Sequence, residues 1–245
     1  MFRIEIDRLV KRFHGESGLV EPVKDLSLSL EAGEVCSVIG QSGCGKTTLL
    51  RLIAGLERPD GGRIAFVDES GRSAEPVISI VFQEPRLFPW MNVRRNIELA
   101  VRNLPEDERG RKVDAVLDLV GLKAVARSYP VELSGGMAQR VGLARALVND
   151  PDILLMDEAF GSLDALMRQR LYREFVDILE KRPMTVVLVT HDVTEAVQLS
   201  GRIVLLAAGS VGRSWSIGLP YPRSLGTEGV GELAEQVLSE LFNID

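Results

Sequence analysis

The sequence predicts an α/β fold with a mainly parallel core sheet, and three observations carry that prediction. An apolar run, Val35-Cys36-Ser37-Val38-Ile39, leads into Gly40-Gln41-Ser42-Gly43-Cys44-Gly45-Lys46-Thr47-Thr48 and then into the helical stretch Leu49 to Leu56. Short buried-type strands alternate with amphipathic helices through the second half of the chain, the pattern of a sheet covered on both faces. Between these regions, over 84–148, strand patterning gives way to a helical period.

In chain order, Ile4, Ile6 and Leu9, then Leu26, Leu28 and Leu30, alternate with polar residues and read as half-buried antiparallel strands. Glu31-Ala32-Gly33-Glu34 turns the chain into the strand before the glycine-rich loop. After the first helix come a turn at Pro59-Asp60-Gly61-Gly62, a short strand from Arg63 to Val67, and a buried strand from Val77 to Phe82 that ends at Gln83. In the next segment Val113, Val116, Leu117 and Val120 share one helical face. Alternation resumes with a strand at Ile153 to Met156 and a helix between Asp164 and Arg182 that carries Leu166, Leu171, Phe175, Ile178 and Leu179 inward. A strand at Val186 to Thr190, a helix at Thr194 to Leu199 and a strand at Ile203 to Leu206 follow. The tail reads as a helix with Leu233, Val237, Leu238 and Leu241 inward. The expected organisation is one domain: a core lobe of 1–83 and 149–228, a helical lobe of 84–148, and a C-terminal helix in 229–245.

At 245 residues the chain suits one large α/β domain, and 26% charged with 45% apolar residues is an ordinary globular balance. A net charge of -6 argues against nonspecific nucleic-acid binding, which needs a basic face. The first residues lack the apolar core of a signal peptide, and no run approaches the roughly 18 apolar residues of a membrane span. The expectation is a cytoplasmic protein that reaches a membrane only through a partner. Cys36 and Cys44 read as reduced thiols, because a disulfide between strand and loop would stiffen the loop.

The loop fits the phosphate-cradling pattern G-x-x-x-x-G-K-[ST]. Glycines let several N–H groups converge on one anion, and the helix N-terminus adds a positive dipole end. Lys46 would reach the β- and γ-phosphates, and the Thr47 hydroxyl would hold Mg²⁺. The plain alternative is a flexible loop before a core helix. Asp157 and Glu158 end a buried strand, where ligands collect in open α/β sheets; Asp157 suits the metal and Glu158 a water-activating base. His191 and Gln83 also end strands, and supply a group for the γ-phosphate edge and an amide for Mg²⁺ or water. In Leu133-Ser134-Gly135-Gly136-Met137-Ala138-Gln139-Arg140, a serine and two glycines open a helix. By its residues alone this is either an N-capped helix or a second anion site, and the capped helix is the simpler reading.

Taken together, these motifs resemble those of an ATP-binding cassette (ABC) ATPase subunit, almost end to end. Gly40, Gln41, Ser42, Gly43, Cys44, Gly45, Lys46 and Thr47 resemble the Walker A motif, with Thr48 beside them also expected to bind the cofactor, and Ile153 to Glu158 resemble the Walker B. Gln83 resembles the Q-loop glutamine, Leu133 to Met137 the signature, Ser162-Leu163-Asp164 the D-loop and His191 the switch histidine. Phe13 stands where the family has a ring that stacks on adenine. The resemblance implies ATP and Mg²⁺ as cofactors, and catalytic roles for Glu158, His191, Lys46 and Gln83. It implies a head-to-tail homodimer in which Ser134, Gly135 and Gly136 of one copy close over ATP held by the other. Phe82 to Trp90, the signature variant, Phe160 to Leu166 and Leu219-Pro220-Tyr221-Pro222-Arg223 are similar to importers of the nitrate, sulfonate and taurine group. Such a subunit sits at the cytoplasmic face of the membrane on a permease, and is served indirectly by an extracytoplasmic solute-binding protein. The apolar cluster Leu87 to Met91 is either helical-lobe core or the groove that docks the permease. Two departures stand out: Ala159 where the family usually has proline, and Gln41 for a frequent proline in the loop. A soluble cassette acting on ribosomes or DNA, and a nucleotide-gated module without turnover, are the alternatives.

Overall fold

The structure, a computed structural model, describes residues 1–15, 18–161, 163–224 and 226–242. Strands β1 (Phe2–Gly15) and β2 (Gly18–Leu30) are antiparallel, with Ile4 opposite Leu30 and Ile6 opposite Leu28. After β3 (Val35–Ile39) and α1 (Lys46–Ile53), β4 (Gly61–Asp68) joins the other edge of β1 and completes a three-stranded antiparallel sheet. Alternating apolar residues give this sheet one buried face, which includes Ile4, Leu9, Leu26 and Leu30.

The second sheet contains β5 (Ile78–Phe82), β6 (Ile153–Asp157), β7 (Thr185–Val189), β8 (Arg202–Ala207) and β9 (Ser210–Ser216) together with β3. Its order is β5-β6-β7-β3-β8-β9, parallel except for β9. Helix α1 lies between the two sheets: Leu49, Leu50, Leu52 and Ile53 pack with β1, β2 and alternate residues of β3, β6 and β7. On the opposite face, α4 (Gly135–Leu147) and α5 (Ala165–Lys181) join α2 (Val93–Glu98) and α3 (Glu106–Leu119) in a second core. Helices α6 (Val193–Leu199) and α7 (Val230–Phe242) cover β8 in a third.

The predicted α/β class with a mainly parallel sheet and antiparallel N-terminal strands is the observed architecture, and the stretch between β5 and β6 is helical. Three local expectations need correction. Leu166 is 86% exposed, because α5 buries its apolar face only from Leu171 onward. Leu238 lies on the outer side of α7, whose fully buried residues are Val230 and Val237. Edge strand β9 was not anticipated; its residues are mostly exposed and lack a strong alternating pattern. Both cysteines are free, and burial pushes the Cys36 thiol up to about 12. Among the described residues no helix is long and apolar enough to cross a membrane.

Candidate functional site

Parallel register puts four strand ends at one edge of the sheet. Phe82 pairs with Asp157, Asp157 with Val189, and Val38 also with Val189. The residues just beyond, Gln83, Glu158, Thr190 and Gly40, therefore emerge side by side, outside the carboxyl ends where α/β sheets bind ligands. Backbone bonds from Glu158 N–H to Val189 O (2.9 Å) and from Thr190 N–H to Val38 O (3.2 Å) fix the arrangement.

An open cleft of about 310 Å³ lies at this edge. Ser42, Gly43, Gly45, Lys46, Thr47 and Thr48 form one wall, and Glu158 and His191 face them. Gly45 caps α1 at φ 104°, a left-handed backbone that other L-residues adopt only with strain, and no side chain caps the helix. A Cβ on Gly45 would lie 2.0 Å from the Pro22 carbonyl oxygen, and one on Gly40 2.4 Å from that of Leu206. The α1 N-terminus is thus a nest of N–H groups with room for an anion and none for a side chain. Lys46, only 7% exposed, donates to Gly40 O at 2.8 Å and Gln41 O at 2.9 Å, so its ammonium charge is held inside the loop. Cys44, half-buried within the loop, has its sulfur 3.8 Å from Lys46 Nζ.

Two carboxylates face the loop in different surroundings. Thr47 Oγ1 donates to Asp157 Oδ1 at 3.3 Å. Burial raises the Asp157 carboxyl above its ordinary range, with the Thr47 bond opposing. Glu158, at φ 47° in the left-handed region, turns its side chain to the cleft, and Oε2 lies 3.2 Å from His191 Nδ1. His191 is otherwise largely exposed.

The other predicted residues lie apart. Gln83 is exposed at the β5 end, near Gly161, and does not line the cleft. Phe13 is on β1 with the Lys11 ammonium 5.1 Å from its ring centre, also outside the lining. Ser134 Oγ accepts from Met137 N–H at 3.3 Å and caps α4, while Gly136 packs against Met167. Neither these residues nor Gly135 line the cleft of their own chain. Ser162 lies outside the described residues; next to it Leu163 is buried, and Asp164 caps α5 through Met167 N–H at 3.0 Å. Ala159 is fully buried and lines a separate, largely apolar cavity of about 200 Å³ together with Val81, Phe160 and Phe175.

The apolar cluster after Gln83 divides. Leu87 packs onto the core, whereas Phe88 and Trp90 are exposed and meet edge to face at 5.4 Å. Fully buried Asn96 accepts from Phe88 N–H and donates to the Phe88, Met91 and Asn92 carbonyls, so the loop is held rigid beneath two exposed rings. Sequence reading missed Pro22, which walls the cleft from β2 and has no local signal. It also missed Glu195, whose signal was available: an acid on the inward face of the apolar helix Val193–Leu199.

A family model described as ABC transporter matches residues 23–161. The aliphatic sulfonates import ATP-binding protein SsuB of Bacillus cereus is 41% identical over 239 residues, covering 97% of this chain and 95% of the relative. The bicarbonate transport ATP-binding protein CmpC of Synechococcus elongatus is 47% identical over 208 residues, which span 82% of this chain and 31% of that longer protein. Among solved structures, the dimeric post-hydrolysis state of the ATP-binding cassette MJ0796, bound to ADP and Pi, superposes with a TM-score of 0.76 at 28% identity, covering 89% of this chain and all of that one. With its glycine-rich nest, strand-end acids and this kinship, the chain belongs to the ABC transporter family, as an ATP-binding ATPase subunit.

Proposed function

We propose that this ATPase works as a homodimer on a membrane permease and drives uptake of a small solute of the sulfonate, taurine or bicarbonate kind. The Glu158–His191 pair facing the phosphate loop is the observation that carries the catalytic part. Glu158 is the general base for the attacking water, and His191 orients its carboxylate and stabilises charge on the γ-phosphate. Lys46 and the amides from Gly40 through Thr48 bind the phosphates. Thr47 and Asp157 form an oxygen pair that suits a hard cation and would hold Mg²⁺; Gln83 would join them only by moving in from the β5 end, where it stands outside the cleft. An ion held there would neutralise phosphate charge. Phe13 is assigned to the adenine.

The dimer rests on the separation within one chain: Ser134, Gly135 and Gly136 stand outside their own cleft, so a second copy supplies them. A dimeric cassette among the similar structures supports this. The exposed Phe88–Trp90 pair on its braced loop, within the segment Leu87 to Met91 that follows Gln83 in the chain, supports docking to the permease. That arrangement puts the chain at the cytoplasmic face of the membrane, with an extracytoplasmic binding protein choosing the solute. Kinship with proteins named for sulfonate and bicarbonate transport supports the solute class.

Glu158→Gln tests the reading. The variant should bind ATP as the parent does, lose about a hundredfold or more in turnover, and elute as a dimer on a sizing column with Mg-ATP. Hydrolysis at the parent rate would remove Glu158 from its role; a persistent monomer, with permease present, would remove the dimer.

A further inference from the structure

Helix α6 begins two residues after His191, and its first turn carries a carboxyl group that the reaction does not use. Glu195 is 1% exposed. Its Oε2 accepts from the Thr190 hydroxyl at 2.8 Å, and the same hydroxyl oxygen accepts from Asp192 N–H at 3.0 Å. Asp192 in turn caps α6 through Thr194 and Glu195 N–H and pairs with Arg168 at 2.8 Å. The other Arg168 nitrogen donates to Leu163 O at 2.9 Å, next to the α5 cap. His191 thus stands exposed between two neighbours, Thr190 and Asp192, whose side chains are both fixed through one hydroxyl and one helix start.

We propose that Glu195 is a positioning residue for ATP hydrolysis: by gripping the Thr190 hydroxyl it sets the turn that presents His191 to Glu158. This rests on the role given to His191 above. The geometry has a direct reason. The segment Thr190–Asp192 is three residues of irregular backbone between a strand and a helix: Asp192 ties it to the start of α6, and the Thr190 bond ties it to a side chain of the α6 interior. Loss of that bond frees the imidazole to drift from the 3.2 Å contact with Glu158, at a carboxylate where small displacements cost rate.

The carboxyl is also in an unusual electrostatic position. Burial pushes it up to about 8, and the neighbouring Asp192 and Glu158 charges push the same way, while the Thr190 bond and Arg168 oppose. Tyr172 also faces it from α5, its phenol raised by burial and by Glu195 and Asp192. Glu195 Oε1 has no hydrogen-bond partner among the described residues, so an ionised carboxylate would leave one charged oxygen without a donor. The neutral acid is therefore the form that fits this pocket at neutral pH. Ionisation in alkali puts a charge beside Asp192 and loosens the turn.

Five variants, assayed as purified full chain with Mg-ATP, test the inference. Glu195→Ala and Thr190→Val should each lower kcat about tenfold with KM for ATP within about twofold, and the double variant should be no worse than either. Glu195→Gln, which keeps the acceptor and cannot ionise, should restore kcat to within about twofold at pH 7 and flatten the alkaline fall of the parent. A stability readout accompanies it. Between the ordinary 4.5 and about 8 the folded state keeps a proton that the unfolded chain has lost, so parent stability falls as pH rises. Glu195→Gln should therefore gain in melting temperature over the parent from pH 5 to pH 8. Parent-level kcat in Glu195→Ala or Thr190→Val overturns the inference. So do multiplied losses in the double variant, or a Gln variant as slow as Ala. Should Glu195→Ala fail to fold, Thr190→Val and Glu195→Gln decide alone. His191→Ala separates the two levels: full turnover there removes the role of His191, whereas lost turnover there beside an unaffected Thr190→Val removes only the role of Glu195.

Discussion

Two helices in this molecule open on glycine-rich turns, and they treat their N-termini in opposite ways. Helix α1 starts at Gly45 with left-handed backbone and no side-chain cap, beside a buried lysine and an open cleft. Helix α4 starts at Ser134, whose hydroxyl accepts from Met137 N–H, and its glycines lie against Leu163 and Met167. The first end leaves its orphan N–H groups to a ligand; the second satisfies one of its own and stands as a finished surface. One, in the proposed function, is a phosphate site by itself. The other, in the proposed dimer, is a lid for somebody else's.

The largest effect should come from Gly45→Ala. Its Cβ would meet the Pro22 carbonyl at 2.0 Å, at a φ that alanine resists, so the nest cannot keep its shape. ATP affinity should fall by about two orders of magnitude in a nucleotide titration; a loss of only a fewfold would mean that the loop is not preformed. Ser134→Ala comes next. It should cost about 1 kcal/mol in denaturant unfolding through the lost cap, leave ATP binding by the monomer within about twofold, and prevent dimer formation in a Glu158→Gln background. Weakened ATP binding by the monomer would break the comparison, because α4 would then serve its own cleft. The smallest effect concerns pH. Burial raises the Asp157 carboxyl, and Mg²⁺ binding needs the ionised form, so metal affinity should weaken as pH falls and do so earlier than for an ordinary aspartate. Calorimetric titration of Mg²⁺ with ADP present, at pH 5.5 and 7.5, reads this slope, and Asp157→Asn should flatten it. A parent slope equal to that of the Asn variant would take Asp157 out of the metal site.

The two ends also differ in how they could be read. The α1 end is written in contiguous residues, since strand, loop and helix follow one another and the local chemistry of Gly45, Lys46 and Thr47 already implies an anion. The α4 end has a serine followed by glycines, which physics reads as a cap, and the structure shows that the cap is real. Its second role came only through family resemblance. The Leu87 to Met91 cluster was ambiguous between core and surface for a similar reason: composition is blind to which side of a loop faces out, and Asn96, eight residues from Phe88, makes that decision through four hydrogen bonds. Leu166 misled because periodicity assigns a face along the whole helix, whereas burial of α5 begins where neighbouring elements reach it. Arg223 shows the opposite case. Its segment was noticed as a family likeness, and the structure gives it a job of its own: the guanidinium is 6% exposed and donates to backbone oxygens of Val197, Ser200, Ile217 and Leu219, pinning the tail to the end of α6.

By itself the sequence determined the local units: the strand, glycine-rich loop and helix, the apolar strands, and the acid pair at the end of Ile153–Asp157. These depend on neighbours within a few residues, where backbone preference and side-chain period act directly. Tertiary structure alone decided that β5, β6, β7 and β3 lie in that order and register, and so that Glu158 meets His191 at 3.2 Å while Glu195 grips Thr190 behind them. Strand pairing joins residues far apart in the chain, and the choice of partner follows from burying whole faces together, which no single stretch of sequence encodes.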